Sequence, residues 1–494
     1  MKKLKLLSAL LLMIIVGCNR QNVNIIIELP DQPETDTLVY LIPISGTTYW
    51  SISDTLKRNE TGKFKLKMKI TQPSFISMWS TDAKIKDRAR FGVKLLVEPG
   101  GNYHVSMDSL KNVQITGTNE KGQMLYATLP DPFYVEMELE KWLYNNDTVP
   151  YPVFHQQIND LKQTDITKFK ELLDNKEITK AYFDLIQKDR DCYYAQLEAL
   201  LLIIKSDERY KLRFKNDDGL LEYLEEIYNQ YLINDESLLI SSFWFEYAYF
   251  YITNYKPFIQ GNFESQDLRK AGMINTHFIN EAKKYLGGKA LEYFQARFIA
   301  CEYLEFSSRE KELISLFEQF EKDYPTSEYS KYLKPHIDEL VEYHRISELA
   351  FDPAVLFMDN YETINTLAEA VKPFRGKKVY IDVWAQWCGP CRDEFTHKEA
   401  LKKILAENDI ELLYISTDME NFDQHWKNAI KYYNLTGIHI RANRELSKNL
   451  HDIYPYYPAW AIPWYILIDE NGNIIEEYAK RPSQIAAGEN LFTN

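Results

Sequence analysis

Apolar positions change their spacing twice along this chain, and each regime predicts a different kind of element. From about residue 22 to 115 the spacing is two. Lys63-Phe64-Lys65-Leu66-Lys67-Met68-Lys69-Ile70 alternates strictly, the pattern of a strand with one wet face. Val23 to Leu29, Thr37 to Ile44 and Val93 to Val97 are likewise rich in branched and aromatic residues. Turn formers separate them, among them Asp31-Gln32-Pro33, Thr61-Gly62 and Pro99-Gly100-Gly101. A small β-sandwich-like domain over 18–116 is predicted.

From about 118 to 345 apolar residues recur at three and four, so a central α-helical domain is expected over 117–348. Helical patterns cover Tyr182 to Ile204, Leu220 to Leu232, Lys289 to Leu304 and Lys311 to Glu321. Leu316 to Leu340 reads as helix–turn–helix, with Asp323-Tyr324-Pro325-Thr326-Ser327 in the turn. No fixed period runs through the region, which predicts a bundle or irregular solenoid and leaves open a peptide-binding groove. Cys192 and Cys301 sit inside these patterns. They read as thiols packed like small hydrophobes, with a disulfide between them as the alternative.

The remainder, 349–494, alternates strand and helix and predicts an α/β domain. Lys378 to Val383 and Ile410 to Ser416 have the short apolar character of buried strands. Helical patterns follow at Cys391 to Ala406 and Asn421 to Tyr433. Trp464 to Asp469 and Ile474 to Tyr478 flank Glu470-Asn471-Gly472, a hairpin turn signal.

At 494 residues the chain exceeds a single core, in keeping with three domains. Its net charge of −14 and lack of a basic cluster argue against a nucleic-acid partner. Lys2, Lys3 and Lys5 precede Leu6 to Val16, which is apolar apart from Ser8. That run is short of the roughly 20 residues of a membrane span but fits the core of a secretion signal. It ends in Ile15-Val16-Gly17-Cys18, which resembles the lipobox of bacterial lipoproteins. The resemblance implies a signal peptide over 1–17 and acylation of Cys18, anchoring the chain to a membrane without spanning it.

The chemistry concentrates in Val379-Tyr380-Ile381-Asp382-Val383-Trp384-Ala385-Gln386-Trp387-Cys388-Gly389-Pro390-Cys391-Arg392. Cys388 falls where a strand gives way to a helix, so backbone N–H groups and the helix dipole favour its thiolate. Pro390 suits the first helical turn, where its missing N–H has no partner to lose. The spacing puts both sulfurs on one turn. Cys388 is then the attacking thiol and Cys391 the resolving one. Asp382 is a charge within an apolar strand pattern, a candidate general base whose carboxyl burial would raise in pKa, or else a strand-edge carboxylate with structural hydrogen bonds.

This segment resembles the active site of thioredoxins. With Cys391-Arg392-Asp393-Glu394 and the lipoprotein signal, it is similar to the TlpA-type branch of that superfamily. The resemblance implies that Asp382 relays the proton of Cys391. It also implies that Ile462-Pro463 is a cis bond facing the disulfide, with Trp387, Gly389, Pro390, Ile462 and Pro463 contacting substrate. Residues 22–115 loosely resemble the β-rich domain often fused to such proteins. Trp464 departs from the small hydroxyl residue common there. With Tyr454, Tyr456, Tyr457 and Trp460 it forms either a docking face or part of the core.

The expected function is a cell-envelope, periplasm-facing thiol–disulfide oxidoreductase, a reductase of protein disulfides. It needs no cofactor beyond the Cys388–Cys391 pair and no metal, since His397 alone does not complete a zinc set. Its partners would be protein or peptide thiols and disulfides and a membrane electron donor. The alternatives are a thiol peroxidase, and a binding or scaffold lipoprotein acting through the helical region.

Overall fold

A computed structural model describes residues 22–32, 35–80, 91–108, 112–132, 135, 150–206, 219–259, 265–454 and 461–492. The leader and Cys18 lie outside the described residues, as do Tyr456, Tyr457 and Trp460. Among the described residues no helix is long and apolar enough to cross a membrane. The chain divides into two compact units, 1–301 with 315–334, and 302–314 with 335–494.

The first unit opens with eight strands: β1 (Asn22–Glu28), β2 (Thr37–Ile44), β3 (Thr47–Lys57), β4 (Lys63–Lys69), β5 (Ser74–Ser80), β6 (Gly92–Val97), β7 (Asn102–Met107) and β8 (Val113–Gly117). They form two four-stranded sheets, ordered β4-β1-β7-β8 and β3-β2-β5-β6. Val23, Ile25 and Ile27 of β1 and Phe64 and Leu66 of β4 share a core with Leu38 of β2, Ile76 and Met78 of β5 and Leu95 of β6. β1 alternates half-buried and buried positions because its other face carries no second layer. β5 is nearly continuously buried. The reason is a third layer, in which Phe75 and Leu96 pack with Tyr126, Phe169, Tyr182 and Ile186 of the helical region.

The helical region contains the long helices Tyr151–Asp174 and Lys180–Ser206. The Lys289–Leu304 pattern resolves into an α-helix, Gly288–Ala300, continued by a π-helical turn, Cys301–Glu305. Cys192 and Cys301 are both free and buried. Burial pushes the Cys192 thiol far up, so it stays protonated.

Asp189 and Arg190 are fully buried, and their ion pair holds the layers together. Asp189 Oδ2 accepts from Tyr126 Oη at 2.9 Å and Oδ1 from Ser241 Oγ at 2.8 Å. Arg190 also donates to the Pro130 carbonyl at 2.9 Å. Burial pushes the Asp189 carboxyl up, but Arg190, Lys94 and the hydrogen bonds outweigh it and leave the group below its usual range.

The second unit carries a six-stranded sheet of β9 (Val355–Phe357), β10 (Lys378–Trp384), β11 (Ile410–Ser416), β12 (Gly437–Arg441), β13 (Trp464–Ile468) and β14 (Ile474–Glu476). Their order is β14-β13-β10-β11-β12-β9. β9, β12, β11 and β10 run parallel to one another, whereas β13 is antiparallel to β10 and β14 to β13. β10 is buried along almost its whole length, as a strand flanked by helices on both faces must be. The helix expected over Cys391 to Ala406 is two, Gly389–Phe395 and Lys398–Glu407, parted at Thr396-His397.

Removing one partner of a buried ion pair strands the other charge. Asp189→Ala is therefore expected to destabilise the first unit by about 3–5 kcal/mol, read as a lowered midpoint in urea denaturation followed by helical circular dichroism.

Candidate functional site

The site forms at the carboxyl end of β10, where the chain leaves the sheet and enters the helix Gly389–Phe395. Cys388 is the N-cap of that helix. Its Sγ receives the Cys391 backbone N–H at 3.1 Å, and Pro390 occupies the first turn. Cys388 and Cys391 are joined by a disulfide, with Cα atoms 5.3 Å apart. Both are buried, whereas Trp387 is 52% exposed beside them.

The loop between strand and helix is pinned at several points. The Cys388 N–H donates to the Ala385 carbonyl at 3.1 Å, and the Thr417 N–H donates to the Trp384 carbonyl at 2.9 Å. Gln386 N–H donates to Asp418 Oδ2 at 2.9 Å, an oxygen that also accepts from Ser416 Oγ at 2.7 Å. Burial pushes the Asp418 carboxyl up, while those hydrogen bonds pull it back only in part. Behind the loop, the Trp384 ring meets Phe395 edge-on at 5.2 Å, seating the helix on the sheet.

The register Val383↔Trp464 brings the start of β13 beside the end of β10. The Ile462-Pro463 bond is cis and falls at this same edge. Trp464 itself is buried, stacks edge-on with Tyr454 at 5.2 Å and donates to the Glu477 carbonyl at 2.7 Å. Those two aromatics are core.

Asp382 lies within β10, flanked in register by Tyr414 of β11 and Tyr465 of β13. It is 1% exposed, and its Oδ1 has no hydrogen-bond partner. Burial, reinforced by repulsion from Glu394, pushes its carboxyl well above the usual carboxylate range. Glu394 sits in the active-site helix and is held from the other side, accepting from Ser483 N–H at 2.8 Å and Ser483 Oγ at 2.9 Å.

The structure thus gathers Cys388, Cys391, Trp387, Gly389, Pro390, Ile462 and Pro463 where β10 ends and β13 begins, with Asp382 within β10. Sequence reasoning missed Asp418. The signal available was an acid directly after an apolar strand in a parallel sheet, a position where such strands deliver functional groups.

Residues 358–489 match the Redoxin family model. Thiol-disulfide oxidoreductase ResA of Bacillus thuringiensis subsp. konkukian is 31% identical over 108 residues, 22% of this chain and 57% of that protein. A solution structure from Bacteroides vulgatus, described as a candidate thiol–disulfide oxidoreductase, is 34% identical. That match covers 24% of this chain and 73% of the other, with a TM-score of 0.21. The C-terminal domain is thioredoxin-like. The chain spans little more than half the length of the ResA proteins, and the matching stretch leaves residues 1–357 of this chain outside the family model.

The buried acid of the thioredoxin-like domain gives a pH-dependent expectation. A carboxyl raised in the fold binds protons that the unfolded chain has released, so its contribution falls as pH rises above the ordinary carboxyl range of about 4. Asp382→Asn should therefore raise the melting temperature at pH 7 by about 2 °C or more. The gain should shrink as pH is lowered toward about 4. An equal gain at both pH values would contradict a raised carboxyl.

Proposed function

We propose that this chain is a lipid-anchored thiol–disulfide oxidoreductase of the cell envelope that reduces protein disulfides through Cys388 and Cys391. One observation carries the reading: the Cys388 sulfur caps its own helix and receives the Cys391 N–H, in a disulfide with the thiol one turn away. The names of the relatives and the match to the Redoxin model support it.

A thiolate at a helix start is stabilised by N–H groups with no intrahelical partner, which lowers such thiols from about 8.5 to about 7. In the reduced protein the Cys388 thiolate attacks one sulfur of the substrate disulfide. That bond breaks, a Cys388–substrate disulfide forms and one substrate thiolate leaves. Cys391 then gives its proton to the Asp382 carboxylate and attacks Cys388 Sγ. The mixed disulfide breaks, the second substrate thiolate leaves, and Cys388–Cys391 closes. Two electrons pass to the substrate, whose thiolates take up protons from water. Burial raises the Asp382 carboxyl above the usual carboxylate range, which strengthens it as a base for this proton.

Regeneration needs a donor of two electrons, which we assign to a membrane dithiol. The anchor at Cys18 keeps the domain near that donor. The Gly389-Pro390 dipeptide supports a reducing couple.

Two measurements test this. With Cys391→Ala, mixed disulfides on Cys388 should accumulate as reductant-sensitive adducts, and Cys388→Ser should abolish them; adducts that survive Cys388→Ser would locate the chemistry elsewhere. Equilibration with glutathione should place the couple near about −270 mV. A potential above about −170 mV would reassign the protein as an oxidase or isomerase.

A further inference from the structure

The active-site helix is touched by a segment that the Redoxin match does not include. Arg392, next to Cys391, donates from Nη2 to Ser307 Oγ at 2.7 Å. The same Nη2 lies 3.7 Å from where a Cβ on Gly389 would stand. Arg392 thus links Ser307 to the start of the active-site helix, although Ser307 lies far upstream of residue 358, where the family match begins. Residues 302–314 and the thioredoxin-like domain belong to one compact unit.

The segment is built to hold its shape. Ser307 has a φ of 56°, the left-handed region that non-glycine residues rarely occupy. Ser308 N–H donates to the Glu302 carbonyl at 2.8 Å. The Arg309 guanidinium lies over the Tyr303 ring at 4.3 Å, and its carbonyl accepts from His344 Nε2 at 2.9 Å. Glu310 pairs with His425 at 3.5 Å on the helix Asp423–Tyr432. A strained residue persists only when its surroundings over-determine it, and such residues concentrate at functional sites.

Phe306, directly before Ser307, is 54% exposed. Trp387 directly precedes Cys388, and Met419 follows the Asp418 that holds Gln386; they are 52% and 66% exposed. Large apolar side chains exposed around a redox-active sulfur mark a contact surface, with aromatic residues as its anchors.

We propose that the turn at Phe306-Ser307 is one wall of the substrate groove, selecting polypeptide disulfides over small polar ones. Its occupant is an extended segment of a disulfide-bearing protein with an apolar side chain next to the reacting cysteine. The disulfide at the centre of the surface dictates that choice, because whatever covers these residues must present a sulfur to Cys388. Ser307 acts through Arg392 as a positioning residue, and Phe306 sets specificity. This inference rests on the oxidoreductase reading and deepens it.

The test uses the full chain, pre-reduced, in single-turnover oxidation by a cystine-bridged peptide with leucines flanking each cysteine, and separately by 2-hydroxyethyl disulfide. In Phe306→Ala the ratio of peptide to small-disulfide rate constants should fall about tenfold, the scale of losing one anchoring aromatic side chain. The loss should come from weaker peptide saturation, with the limiting rate held, and Phe306→Leu should recover much of the ratio. Because Phe306 is more than half exposed, the variants should keep the wild-type melting temperature. A ratio within twofold of wild type would overturn the wall while leaving the oxidoreductase reading standing. A wild-type protein inert toward both disulfides would overturn both.

Discussion

A sulfur atom that caps its own helix imposes conditions on everything around it. To receive the Cys391 N–H, Cys388 must sit outside the helix with extended backbone while Gly389 and Pro390 are already inside. That requires a strand and a helix joined by a short, firmly held connection, here Ala385 to Cys388. β10 supplies the strand, and its central place in the sheet fixes where the strand ends. The hydrogen bonds from Gln386 to Asp418 and from Thr417 to Trp384 then fix how the last residues turn. The packing of Trp384 on Phe395 sets the tilt of the helix. Each of these contacts lies outside the pair of cysteines, and each serves to hold one N–H pointed at one sulfur.

The same strand carries a group that works against the fold. Asp382 occupies a position where its neighbours on β10 are apolar and buried, and nothing in the described residues donates to its Oδ1. Ionising it in that place is expensive, so the domain is more stable with the carboxyl protonated. Glu394 stays in its surroundings because Ser483 satisfies both of its oxygens. The two acids on neighbouring elements thus meet opposite treatment, one hydrogen-bonded and one left bare. An acid with no donor to its Oδ1 inside a buried strand is costly as structure, and it is environment that separates like side chains in this way.

How much of this was legible depended on whether the signal was local. β10, β11 and β13 announce themselves as short apolar runs, and the cysteine motif, the acid before it and the proline opening β13 are each read from contiguous residues. β12 hides because Gly437-Ile438-His439-Ile440-Arg441 buries a histidine and an arginine. His439 is accommodated by stacking flat on Tyr414 at 4.8 Å and by a 2.7 Å hydrogen bond between Nε2 and the Leu435 carbonyl, with burial lowering its pKa to about 4. β9 is three residues long and too brief to carry a period. The aromatic cluster before β13 was ambiguous, since core and docking surface use the same side chains; burial of Trp464 and Tyr454 decides those two for the core. Asp418 and Ser307 were illegible for a different reason. Their roles consist of contacts with residues distant in the chain: the apolar strand before Asp418 marks its place but not its hydrogen bond from Gln386, and Ser307 carries no such mark.

Ser307 also bears on what a family match can describe. The Redoxin model aligns residues 358–489, and the ResA match covers 22% of this chain. The compact unit is larger, taking in 302–314 and 335–357 as well. Arg309 between its aromatic rings, and His344 on the Arg309 carbonyl, join those added residues to one another; Glu310 and Ser307 join them to the domain. The cysteines, the cis proline and the buried acid lie in the aligned part. Arg392, which stands 3.7 Å from where a Cβ on Gly389 would be, is held by Ser307 of the added part. Chemistry and selectivity are therefore encoded in separate stretches of this chain, and substitutions around Phe306 and Ser307 alter which disulfide approaches without touching the sulfur that receives it.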